Sequence, residues 1–150
     1  MHALIRSLVP VCALAFASVA SAAPVALSSV WMRPAAAGAD ARVSVDIKSD
    51  VNVDLVGATT ALAKKIDIVH VKTIGDPASE TVVRKYAVPG GTTTRLAYLG
   101  DHLRLVGIKR ALNNGDPVPI KLRFVDAAGK RFEVTADVVV RGLTFPGARP

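Results

Sequence analysis

The chain has 150 residues, a formal charge of +7 and one cysteine. That length bounds it to one domain with a modest core, and a single cysteine excludes a disulfide framework. Its basic residues are scattered and aromatics make up only 5% of the chain, so the charge reads as a solvated face rather than a stacking platform for nucleic acid.

The N-terminus reads as a secretory signal. Met1 to Arg6 is a short basic n-region, Leu8 to Val19 an apolar run too short to span a bilayer, and Ala20-Ser21-Ala22 a small-x-small cleavage site. Cleavage after Ala22 predicts a periplasmic domain over residues 23–150. No later run is long enough for a membrane span. Cys12 follows Pro10-Val11, which is not a lipoprotein cleavage box, so no lipid anchor is expected. With the signal go Cys12, His2 and Met1; His70, His102 and Met32 remain. A mature chain without thiolate excludes a blue-copper electron-transfer site.

Ala23 to Ser29 predicts an edge strand, followed by Trp31-Met32 and a flexible run to Asp40. Val43, Val45 and Ile47 alternate with Ser44, Asp46 and Lys48, the pattern of a half-buried strand. Val51 to Leu55 predicts a second strand, and Ala58 to Lys65 a loop. Further strands are predicted over 66–71, 81–88, 92–99, 102–108, 118–125 and 130–141. Turns fall at Gly75 to Ser79, Pro89-Gly90-Gly91, Gly100-Asp101, Asn113 to Asp116 and Asp126 to Gly129. Eight short strands besides the edge strand, punctuated in this way, predict an all-β fold, a single antiparallel β-sandwich of cupredoxin-like or immunoglobulin-like type. The tail from Leu143 to Pro150 is expected to be loosely held.

Catalytic hardware is missing from the pattern. There is no Gly-x-Ser-x-Gly elbow, no His-Glu-x-x-His and no phosphate-cradling glycine loop, and the acidic residues occur singly. The chain is therefore read as a non-enzyme. The stretch Tyr98 to Arg110 carries the remaining chemistry. Strand alternation puts Leu103 and Leu105 on one face and His102 and Arg104 on the other.

That stretch also carries a resemblance. His102-Leu-Arg-Leu-Val-Gly-Ile-Lys-Arg-Ala-Leu-Asn-Asn-Gly-Asp-Pro-Val-Pro-Ile-Lys-Leu-Arg-Phe resembles the pattern of the periplasmic copper chaperone family PCu(A)C. Trp31, the segment Ala41 to Val56 and the Pro89-Gly90-Gly91 turn resemble further landmarks of that family, and the likeness runs over residues 30 to 142. It implies Cu(I) held by two histidines and two methionines, in the order His, Met, His, Met. It also implies delivery toward a membrane-bound acceptor such as a cytochrome oxidase subunit.

Carried over residue by residue, His102 is the second histidine, and Arg104 stands where the second methionine belongs. Thr81 to Lys85, which spans the first methionine position, contains none. The apolar-acidic-apolar run Ile66-Asp67-Ile68 puts Val69 at the first histidine position, with His70 one residue beyond. A one-residue shift turns a strand side chain to the other face, and a bulge would restore it. His102 and His70 are thus the candidate metal residues, Met32 reads as packing, and Cu(I) is the implied cargo. The alternative on the same fold is a metal-free binding or structural module whose His102/Arg104 face meets an anionic partner. Oligomeric state is left open.

Overall fold

The computed structural model describes residues 24–74 and 79–142. The expected signal and Ala23, residues 75–78 of the turn expected at Gly75 to Ser79, and the expected tail 143–150 lie outside that range. All regular structure in it is β: β1 Val25–Met32, β2 Ala41–Ser49, β3 Val53–Thr59, β4 Ala63–Lys72, β5 Ser79–Val83, β6 Tyr86–Val88, β7 Thr93–Leu96, β8 His102–Ile108, β9 Pro117–Asp126 and β10 Arg131–Val140. No helix is long and apolar enough to cross a membrane among the described residues.

The all-β expectation holds, and its closure is the new fact. β1, β10, β9, β3, β4, β8 and β2 are hydrogen-bonded in a ring that returns to β1, a closed seven-strand barrel; β5 extends β4, β6 extends β3 and β7 extends β2. Every pairing is antiparallel except β1 on β10, which is parallel through Trp31↔Val139 and Met32↔Val140. The sheet is therefore mixed, not purely antiparallel, because the first and last strands of the ring run the same way where they meet.

Alternation in the sequence sets the inside of this barrel. In β9 Val118, Ile120, Leu122 and Phe124 are buried, while Pro117, Pro119, Lys121 and Arg123 face out. Leu55, Ile47, Leu103 and Leu105 meet them in one continuous core, which also takes Met32. Phe132 stacks on Phe124 at a centroid distance of 5.5 Å.

Several boundaries differ from the sequence reading. Among the described residues, β1 has β2 alone beside it from Val25 to Ser28, as expected of an edge, and gains β10 on its other side only at Trp31 and Met32. It runs on through Trp31 and Met32, with a bulge between Ser28 and Trp31 that shifts its register on β2 by one residue. The expected loop 58–65 shrinks to a turn between Thr59 and Ala63. The expected strand 81–88 is two strands, because the chain leaves β4 after Val83 and joins β3 at Tyr86. The strand expected to reach Leu99 stops at Leu96, where the chain loops out from β2.

The Pro89-Gly90-Gly91 turn shows why glycine is needed there. Gly90 bridges Ser49, and a Cβ on it would lie 2.7 Å from the Val51 backbone carbons. Backbone cannot yield as a side-chain tip can. Gly90→Ala is therefore expected to destabilise the fold by about 2 kcal/mol, in the range typical of overpacking. Urea denaturation of the wild type and the variant measures it, and an unchanged midpoint would contradict the close approach.

Candidate functional site

β8 places the chemistry. Leu103 and Leu105 point into the core and are fully buried, and His102 and Arg104 stand on the outer face. β4 pairs with β8 in one unbroken register from Ala63↔Ile108 to Val69↔His102. β5 continues the sheet with equal regularity, from Ile68↔Val83 to Lys72↔Ser79. No bulge interrupts β4, so Val69 sits across from His102 and His70 is turned to the opposite face.

His70 follows Ile66 and Ile68 in parity but lies beyond the end of the core, with its side chain 46% exposed. One step past Val69↔His102, the same register brings it to Asp101. The His70 ring nitrogen Nδ1 lies 3.0 Å from Asp101 Oδ1. Asp101 also accepts hydrogen bonds from the Val71 N–H at 2.8 Å and the Tyr86 hydroxyl at 2.6 Å. Sequence reasoning missed this cluster, although parity held the signal: Asp101 shares the face of Leu103 and Leu105, as His70 shares that of Ile66 and Ile68.

His102 is fully buried although it faces outward. The turn from Ala97 to Asp101 folds back beside it, closed by Ala97 N–H to Asp101 C=O and by Gly100 N–H to Ala97 C=O. His102 Nδ1 lies 2.7 Å from the Gly100 carbonyl. A carbonyl brings no proton, so Nδ1 carries the hydrogen and donates it, and in the neutral ring Nε2 is then left with a bare lone pair. That Nε2 is buried and meets no donor among the described residues.

Arg104 is tied down on the same face. Its guanidinium lies 3.4 Å from Glu80 and 3.6 Å from Asp67. Glu80 is shared with Arg42, the Cα partner of Arg104 on β2. Arg42 in turn donates to the Tyr98 carbonyl at 3.0 Å. The Tyr98 ring stacks on Trp31, with Arg33 4.3 Å from its centroid. These arginine–aromatic contacts form a second set that the sequence did not announce.

Among the described residues no group of three or more His, Cys, Asp or Glu side chains is arranged to hold a metal. Met32 is buried in the core, on the face of β1 that meets Val43. The outer face therefore offers one imidazole lone pair, offset cations and no sulfur.

Burial pushes the Asp101 carboxyl up, but the Tyr86 hydroxyl, the Val71 N–H and His70 outweigh it and hold it below the ordinary value of 3.8. Burial, reinforced by the Asp101 hydrogen bond, pushes the Tyr86 hydroxyl well above its ordinary 10.0. A depressed carboxylate stabilises the fold above its unfolded value, and that contribution is lost as pH falls through the lower folded value. Stability is thus expected to decline below about pH 4, with a shallower decline in Asp101→Asn. Urea denaturation across pH 7 to 2 measures it; equal slopes in the two proteins would show that Asp101 is not tied as described.

The model of the family described as "Putative lipoprotein LpqE-like" matches residues 25–138. The "Putative lipoprotein Lxx21020" of Leifsonia xyli subsp. xyli is 30% identical over 129 residues, covering 83% of this chain and 72% of its own length. The solution structure of CuI-DR1885 from Deinococcus radiodurans is similar at a TM-score of 0.54 and 30% identity, over 75% of this chain and 78% of that one. The apo PCuAC domain from PmoF1 reaches a TM-score of 0.63 at 22% identity, over 80% of this chain and 95% of that one, a likeness of fold.

Proposed function

Since the chain belongs to the LpqE-like family, and through it to the PCu(A)C copper chaperones, we propose that it handles Cu(I) in the cell envelope, with His102 as its anchoring ligand. The family is one of non-enzymatic copper carriers. The observation that carries the reading is the bare, buried Nε2 of His102, fixed in that tautomer by the Gly100 carbonyl. Metal-binding imidazoles are held in this way: the second ring nitrogen donates to a carbonyl, which orients the ring and raises its basicity. Asp67 and Glu80 offset the charge of Arg104 beside it, which lessens repulsion of Cu(I). The name of the Leifsonia relative agrees with an envelope location, and the signal-like N-terminus with export to the periplasm. Delivery would be to a membrane-bound copper acceptor such as a cytochrome oxidase subunit.

A second reading rests on Arg104 itself. A guanidinium at the methionine position cannot ligate copper, and its ties to Asp67 and Glu80 give it a structural use. On this reading the barrel is a metal-free envelope module.

A Cu(I) competition titration of residues 23–150 against a chromophoric chelator, under reducing conditions, separates the two. One-to-one binding is expected, weakened by about tenfold or more in His102→Ala, a change of about 1.4 kcal/mol. His70→Ala is expected to leave it unchanged. Tight binding equal in both proteins would contradict His102 as the anchor, and no specific binding by the wild type would contradict copper handling and leave the metal-free module.

A further inference from the structure

One row of side chains on the outer face is stacked without a break. The Arg141 guanidinium lies 4.6 Å from the centre of the Trp31 ring, Trp31 stacks on Tyr98 at 6.1 Å, and the Arg33 guanidinium lies 4.3 Å from the centre of the Tyr98 ring. The backbone sets this row in place. Trp31 is the Cα partner of Val139 across β1 and β10, and Arg33 and Arg141 each follow two residues on. Alternation puts all four on one face of the seam. The Arg141 N–H fixes that end by donating to the Met32 carbonyl at 2.9 Å. Tyr98 arrives from the Ala97–Asp101 turn. Two apolar side chains border the row in the open: Val139 beside Trp31, 57% exposed, and Leu99 next to Tyr98, 83% exposed.

The charge at both ends of the row is unanswered. Among the described residues neither Arg33 nor Arg141 forms an ion pair. The carboxylates around them are taken, Glu80 by Arg42 and Asp46 by Arg95 at 3.1 Å. Asp137 precedes Val139 by two residues where Arg141 follows it by two, so it stands away from both guanidiniums. Arg33 also carries a buried Nε that meets no acceptor among the described residues. A guanidinium held against a ring keeps its N–H fork for a carboxylate, which it receives through two parallel bonds. Tryptophan, tyrosine and arginine are the side chains that dominate protein interfaces. Stacking has already removed much of the freedom that these would lose on binding.

We propose that this row is the surface on which the copper acceptor docks, through a segment of that protein in which acidic and apolar residues are interleaved. The proposal rests on the copper reading above and names the chemistry of the acceptor. Its carboxylates meet Arg33 and Arg141, and its apolar side chains cover Leu99 and Val139. The Ala97–Asp101 turn joins this surface to the candidate ligand. Tyr98 and Leu99 stand on that turn, and its Gly100 carbonyl holds the His102 ring. An acceptor seated on Tyr98 and Leu99 therefore rests against the turn that covers His102. The observations favour a protein surface over a lipid one, because Trp31 and Tyr98 lie stacked and half-buried rather than projecting.

Trp31 is the only tryptophan in the chain, so its fluorescence reports this surface alone. The test titrates residues 23–150 with a short synthetic peptide of interleaved glutamate, leucine and glycine, at an ionic strength of about 0.05 M. The same peptide with glutamine in place of glutamate, and vesicles of phosphatidylglycerol, are titrated beside it. A saturable change in Trp31 fluorescence is expected with the glutamate peptide only. Arg33→Gln and Arg141→Gln should each weaken it about fivefold, the upper end of what a partly exposed ion pair is worth. Lys130→Gln, which removes the same charge beside the β9–β10 turn, should leave it unchanged. Cu(I) binding should be the same in all these variants, and His102→Ala should bind the peptide as the wild type does. Equal response to the glutamine peptide, or equal affinity in the arginine variants, would overturn the acidic docking surface and leave the copper reading standing. Response to the vesicles and not to the peptide would overturn it in favour of a membrane surface. Peptide binding by a wild type that takes no Cu(I) would overturn the copper reading instead and leave the row to the metal-free module. Circular dichroism of each variant confirms that the barrel is retained.

Discussion

From Ala63↔Ile108 to Val69↔His102, β4 and β8 stay in one antiparallel register without an extra residue. Everything at the candidate site follows from that continuity. It sends Leu103 and Leu105 inward with Ile66 and Ile68, where they form part of the core. It sends His102, Arg104, Asp67 and Val69 outward together. It also hands His70 to Asp101 rather than to His102, at the far end of the same ladder. A single inserted residue in β4 would have exchanged these partners. The stability of a register with one buried face works against such a slip, since it would carry the apolar set out of the core.

The two histidines accordingly do different work. His70 belongs to a solvent-edged polar cluster that ties the start of β8 to the end of β4 and to β6 through Asp101 and Tyr86. His102 belongs to a buried outer face, where one nitrogen is satisfied by its own turn and the other is left bare. The Ala97–Asp101 turn connects both. Asp101 anchors it on one side, Gly100 orients His102, and Tyr98 reaches over to the Trp31 and arginine group. One short excursion between β7 and β8 thus positions the imidazole and the cationic surround.

Much of the barrel was legible from alternation. The inward sets Val43, Val45, Ile47 and Val118, Ile120, Leu122, Phe124 could be read directly, because a half-buried strand must alternate. What alternation cannot give is pairing. Ala23 to Ser29 alternates as a short edge strand; that β1 runs on to Trp31 and Met32 and there meets β10 in parallel is a long-range pairing that alternation does not carry. Thr81 to Val88 alternates well enough for one strand, yet the chain crosses from β4 to β3 within it. At the site, the position of His102 and the loss of sulfur at Arg104 were legible. The ion pairs of Arg104 with Asp67 and Glu80, and the arrival of Arg33 at Tyr98, depend on strands distant in sequence and carry no local signal.

The most direct measurement is a long-range proton–nitrogen correlation spectrum of the two imidazoles in residues 23–150, before and after adding Cu(I). His102 is predicted to hold its proton on Nδ1, with a bare Nε2 that alone shifts when copper is added, while the signals of His70 stay in place. A His102 proton on Nε2, or joint movement of both histidines, would contradict the separation of the two rings onto opposite faces and the site built upon it.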